Sequence, residues 1–169
     1  REATSVGGII GWSILGVFLA FFAQGLAGSI EVYLLGIEPG SENTMQIMEI
    51  ARMNALFILI PAIVAPILEE IIFRKIIFGT FYKKMNFFLA ALLSSLIFGL
   101  VHWDFEHLLM YMAMGLVFAF LYVKTKRILV PIIVHAGMNS LVVLLQYNLS
   151  PEEIEKMLEQ MQMILIGWL

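Results

Sequence analysis

The chain contains no cysteine. That excludes disulfides, a thiolate nucleophile and any cysteine-based metal site. Charge is scarce as well: 14% of the 169 residues are Asp, Glu, Lys or Arg, against 61% hydrophobic. A mean hydropathy of +0.93 lies well outside the soluble range, so an ordinary soluble domain is excluded. A net charge of −3 says little, because in a membrane protein the placement of charges matters more than their sum. No internal repeat or low-complexity segment is present. Nothing resembles a cleavable signal peptide, since the first apolar segment is too long and no Ala-x-Ala-like site follows it. What remains is an all-α fold: a polytopic transmembrane helical bundle of about five to six spans with a short amphipathic helix. It reads as one domain over residues 1–169, with no nucleic-acid partner. The chain starts at Arg1 without a Met, which fits a piece of a longer protein truncated at one or both ends.

Ala3 to Ile30 carries no formal charge, long enough to cross a hydrocarbon core of about 30 Å. This first span ends near Gly36, and Gly7, Gly8, Gly11, Gly16, Gly25 and Gly28 are candidates for close helix approach. After an acidic loop, Asn43 with Gln46 resembles a capping box opening a short helix through Arg52. A second span starts near Asn54 and holds Pro61 and Pro66. Its end, Arg74 to Lys84, is amphipathic and is expected in the interface. Further spans follow at about Asn86–Trp103, His107–Val123 and Ile128–Tyr147. Ser150, Pro151 and Glu153 then supply an N-cap, a proline at N1 and a Glu at N3, and Met161–Leu169 could begin a sixth span. Trp12, Trp103 and Trp168 read as interface anchors.

Basic residues give the orientation. Lys83, Lys84, Lys124, Lys126 and Arg127 fall in two loops, whereas the alternate loops are mostly acidic. One topology fits all five loops, with a cytoplasmic N-terminus in a multi-pass protein of the cell membrane.

Against this background a few polar residues stand out. Glu69, Glu70 and Arg74 interrupt an apolar run from about Asn54 to Phe81. A charge near the centre of a bilayer costs about 2.5–3.5 kcal/mol on insertion scales. Glu70 and Arg74 are four apart and share a helix face, so they can neutralise each other. Glu69 is rotated by about 100° and has no such local partner, which makes it the candidate working group. Phe98 to His102 closes the third span, and His135 to Asn139 lies within the fifth, each pair again four apart. A Glu and a His sharing a water can act as general base toward a carbonyl. A second His with an Asn can donate to the oxyanion that forms. Glu106 and His107, at a turn, read as solvated. Taken alone, Asn139 also reads as interhelical glue.

These three motifs, EExxxR, FxxxH and HxxxN in that order, resemble the CPBP family of CAAX-processing and bacteriocin-processing intramembrane proteases. That family includes the type II CAAX prenyl proteases and the bacterial Abi proteins. The resemblance covers about Pro61 to Leu145, within a motif core at about 54–147. It implies a glutamate-dependent intramembrane endopeptidase acting on a membrane-embedded peptide or protein in the lipid bilayer. In it Glu69 and His102 activate water, and His135 and Asn139 hold the oxyanion. Glu70, Arg74 and Phe98 support the site, and no metal or other cofactor takes part. For a bacterial member it points to a peptide pheromone, a bacteriocin leader or a membrane protein as substrate.

Two alternatives remain open. A Glu and two His also make an open three-ligand zinc site, although there is no His-Glu-x-x-His and the Asn would have no task. The other is a non-catalytic transport or immunity protein using the cluster as a proton relay. A rhomboid-type serine protease is disfavoured, since no Gly-x-Ser-x-Gly accompanies HxxxN. Depth poses a difficulty. With straight helices His135 lies about 10 Å from one end of its span, but His102 about 24 Å along its own. The two meet only through tilt, an interfacial start or a shortened hairpin with a submerged Trp103–His107 turn.

Overall fold

The computed structural model describes residues 2–149 together with 153, 156 and 157. Among them there are six helices and no strand. These are α1 (Val6–Leu35), α2 (Glu42–Met53), α3 (Ala55–Tyr82), α4 (Phe87–Leu100), α5 (Leu108–Thr125) and α6 (Leu129–Asn148). The cap at Ser150 and Pro151, the apolar stretch Met161–Leu169 and Trp168 lie outside the described residues. The all-α polytopic bundle expected from composition is the architecture found. Helices α1, α3, α5 and α6 are long and apolar enough to cross a membrane.

The chain stops α1 with Gly36, whose φ of 69° places it in the left-handed region, where a glycine carries no Cβ penalty. The buried residues of α1 are Ser13, Gly16, Ala20, Ala27 and Glu31, a stripe of mostly small side chains. In lipid, helices associate by close packing rather than by expelling water, so small residues mark the seam. A Cβ on Gly16 would meet Val134 at 2.6 Å and Leu121 at 2.8 Å, so α6 and α5 both close on it. Gly7, Gly11 and Gly25, by contrast, face open space and do not bring a neighbour closer. Ala20, Phe118, Leu121, Val130, Val134 and Met138 form the core between α1, α5 and α6. Phe78, Ala90, Ala91 and Ala119 join α3, α4 and α5.

Two sequence expectations change here, at the start of α2 and at the end of α4. Ser41, not Asn43, caps α2, its hydroxyl accepting from the Thr44 N–H at 3.2 Å. The stretch from Arg74 continues the same helix to Tyr82, with Arg74 and Phe78 completely buried in protein and Lys75, Ile76, Thr80 and Tyr82 exposed. The third span does not reach Trp103. Helix α4 has 14 residues, about 21 Å at 1.5 Å per residue, and ends at Leu100. Trp103 then reverses the chain with φ of 57°, a conformation rarely adopted by bulky residues, and is itself 79% exposed. This shortened hairpin is what lets the turn bearing His102 reach the level of His135.

Candidate active site

The site begins with a proline. Pro66 has no N–H, so it cannot serve the carbonyl of Ala62 four residues back or that of Pro61 five back. The chain around it widens to π-helical turns, with the Ala65 N–H on the Ile60 carbonyl. Helix α6 supplies the missing donors: Asn139 Nδ2 donates to the Pro61 carbonyl at 3.0 Å and the Ser140 hydroxyl to that of Ala62 at 3.4 Å. Asn139 is therefore interhelical glue in fact. Its Nδ2 still carries a second hydrogen, and the residue also lines the cavity described below.

One turn further on, Glu69 and Glu70 diverge. Glu70 is fully buried; its Oε2 lies 3.1 Å from Arg74 Nε, an ion pair rather than a well-aligned hydrogen bond. Its Oε1 accepts from His135 Nδ1 at 2.9 Å. The Arg74 guanidinium is sandwiched by aromatic faces, 4.4 Å from the Phe98 centroid and 5.1 Å from that of Phe118, which softens the cost of its burial. Glu69 is 26% exposed, with Oε2 at 3.6 Å from His135 Nε2. That separation is too long for a hydrogen bond. The His135 ring stacks on Phe118, with centroids 4.8 Å apart.

His102 sits two residues past the end of α4. Because the chain tightens there, the His102 N–H bonds to Gly99 at 3.1 Å rather than to Phe98. The Phe98 carbonyl takes the His102 side chain instead, Nδ1 to O at 2.7 Å. A carbonyl can only accept, so Nδ1 carries the hydrogen and Nε2 keeps a lone pair. Phe98 stands at the centre of the site: its ring is edge-on to His102 at 4.7 Å and to His135 at 5.9 Å.

Glu69, His102, His135 and Asn139 line one cavity of about 200 Å³, roomy enough for several waters. Phe98 lines it too, and Glu70 and Arg74 stand behind it. Among the described residues, no group of three His, Asp or Glu side chains is placed to hold a metal ion.

Other residues here carry no sequence signal. His107, read as solvated, is buried and contacts Glu31 Oε2 through Nδ1 at 3.1 Å, while Glu31 Oε1 accepts the Met110 N–H at 3.1 Å. Their partnership spans 76 positions, and no local pattern announces it. Glu106 is exposed, as its turn position implies. Ser41, Asp104 and Tyr111 form a second polar group beside His102.

Comparison with known proteins agrees with these motifs. Over 166 residues the chain is 54% identical to the Bacillus subtilis (strain 168) protein named "Putative membrane peptidase YdiL", covering 98% of this chain and 68% of that one. It is 39% identical over 162 residues to the membrane-embedded CAAX protease MroQ of Staphylococcus aureus (strain USA300), covering 92% and 65%. A shorter match, 36% over 78 residues, links it to the UPF0177 protein YxdF of Lactococcus lactis, covering 46% and 42%. The chain thus spans about two thirds of the length of the first two relatives. No solved structure matches it. Residues 51–141, which hold all three motifs, match the Rce1-like type II CAAX prenyl endopeptidases, and the chain belongs to that family of membrane peptidases.

Proposed function

We propose that the chain hydrolyses a peptide bond of a membrane-embedded peptide or protein, with water as the nucleophile and Glu69 and His102 as its activating pair. The observation that carries this reading is the convergence of four polar side chains, from α3, the turn after α4, and α6, on one cavity. Glu69 brings a carboxylate whose Oε2 lies 3.6 Å from His135 Nε2 and has no hydrogen bond, and His102 brings an Nε2 lone pair. Together they take one proton from water while its oxygen bonds to the scissile carbonyl carbon. The C–N bond then breaks, and the proton passes to the departing amine.

The developing oxyanion needs donors, and we assign these to Asn139 Nδ2 and His135 Nε2. His135 Nδ1 already donates to Glu70, so donation from Nε2 as well requires both ring protons. That form makes the set Glu69, Glu70, Arg74 and His135 electrically neutral, which suits a site inside lipid. Glu70 and Arg74 then act by orienting His135. No metal takes part in this reading. We place the N-terminus in the cytoplasm, because the basic loops share its side.

The test is cleavage of a fluorogenic membrane peptide, selected for turnover by the wild-type protein, in proteoliposomes. Glu69→Gln and His102→Ala are expected to lose at least about 100-fold in kcat, the scale of general-base catalysis, with unchanged melting temperature. Activity is expected to survive chelator. Wild-type turnover in Glu69→Gln would sink the hydrolytic reading; loss on chelation with recovery on zinc would favour a metallopeptidase.

A further inference from the structure

His102 lies on a turn, and its neighbours rather than a helix face must fix its ring. The final torsion of a histidine is broad and roughly two-fold, so the Nδ1 bond to Phe98 at 2.7 Å leaves the ring free to rock about that contact. Tyr111, on the first turn of α5, removes this freedom. Its ring lies face-on to His102, with centroids 4.2 Å apart and planes 27° apart.

Tyr111 is itself held. The Ser41 hydroxyl donates to Asp104 Oδ2 at 2.6 Å, which commits its only hydrogen. The 3.2 Å contact between Tyr111 and Ser41 is therefore Tyr111 donating to the Ser41 oxygen. Tyr111 also lies 3.5 Å from Asp104 Oδ2. A directed chain runs from Tyr111 through Ser41 to a carboxylate that is 6% exposed. Asn43 Nδ2 adds a bond to the His102 carbonyl at 3.1 Å, so the α2 cap Ser41 and the first turn of α2 each grip the turn bearing His102.

We propose that Tyr111 is a positioning residue for His102, its ring setting the plane in which Nε2 meets the water, with the Ser41–Asp104 clasp holding Tyr111 in turn. This rests on the reading of His102 as general base. It makes the α1–α2 loop part of the reactive site, whose cavity Ser41 also lines.

The experiment measures kcat and KM separately for the full chain in proteoliposomes with the same fluorogenic peptide. Tyr111→Phe keeps the ring and is expected to hold kcat within about 3-fold of wild type. Tyr111→Leu loses the ring and is expected to lower kcat about 10- to 100-fold at unchanged KM, the scale of a misplaced catalytic group. Ser41→Ala and Asp104→Asn are expected to lower kcat less, and to add nothing in the Tyr111→Leu background. Wild-type kcat in Tyr111→Leu, a change confined to KM, or equal losses in the Phe and Leu variants would overturn the proposal. Should Tyr111→Leu not accumulate, wild-type kcat in both Ser41→Ala and Asp104→Asn overturns it instead. His102→Ala is the control. If it cleaves normally, the base reading falls and takes the proposal with it. If it is inactive while Tyr111→Leu is normal, the proposal alone falls.

Discussion

Glu69 and Glu70 are neighbours in the chain, yet one helical step of about 100° sends them to different surroundings. Glu70 has both oxygens engaged, by Arg74 and by His135, and no exposure. Glu69 keeps Oε2 without a hydrogen bond and faces the cavity. The balance at Glu70 gives a stability prediction. Arg74→Ala leaves a buried carboxylate without its cation, a change of about 3–5 kcal/mol for broken buried pairs. A thermal melt in detergent should fall by many degrees. Combining Arg74→Met with Glu70→Gln removes both charges and should recover much of the loss; an unaltered melt in Arg74→Ala would deny the pair any structural role. At this scale the i, i+4 pairing was legible from the sequence. The burial of His107 was not, because Glu31 lies on another helix, 76 positions away.

Among the helices, missing backbone partners set the docking. Pro66 withholds an N–H, and Asn139 and Ser140 of α6 meet the carbonyls it leaves. Glu31 does the converse at the start of α5. It accepts the Met110 N–H and contacts His107, so an acceptor on α1 serves one of the four orphan donors of another helix. A carboxylate at a helix N-terminus also meets the positive end of its dipole. Glu31→Ala is therefore expected to cost about 1.5–3 kcal/mol, as for hydrogen bonds to charged groups, read as a lowered melting temperature. Glu31→Gln should recover part of it by keeping an acceptor. An unchanged melt in Glu31→Ala would show that α1 and α5 hold together by packing alone. The apolar runs announced α1, α3, α5 and α6 to within a few residues. The early end of α4 was not announced, because Val101 and His102 continue an apolar helical pattern and only the turn through Trp103 stops it.

Across the whole molecule, the N-terminus packs beside the basic α5–α6 loop. The Thr4 N–H donates to the Thr125 carbonyl at 3.0 Å and Arg127 Nε to the Thr4 carbonyl at 3.3 Å. Lys124, Lys126 and Arg127 thus share one end with the start of α1. If basic loops face the cytoplasm, single cysteines at Glu2 and Lys84 should resist an impermeant thiol reagent added to intact cells. Cysteines at Glu38 and Glu106 should label. These 169 residues contain no cysteine of their own, and the reverse pattern would invert the topology.

The sequence by itself determined the membrane class, the order of the apolar helices and the three polar motifs, since each depends on composition or on spacing within one helix. It also paired Glu70 with Arg74. Only the tertiary structure decided that His135 stands between two carboxylates, that Asn139 completes a proline-broken helix, and that Tyr111 stacks on His102 with its hydroxyl at Ser41. Those relations join residues on different helices, and their separation in space is set by packing, tilt and the length of α4. No local periodicity carries that information.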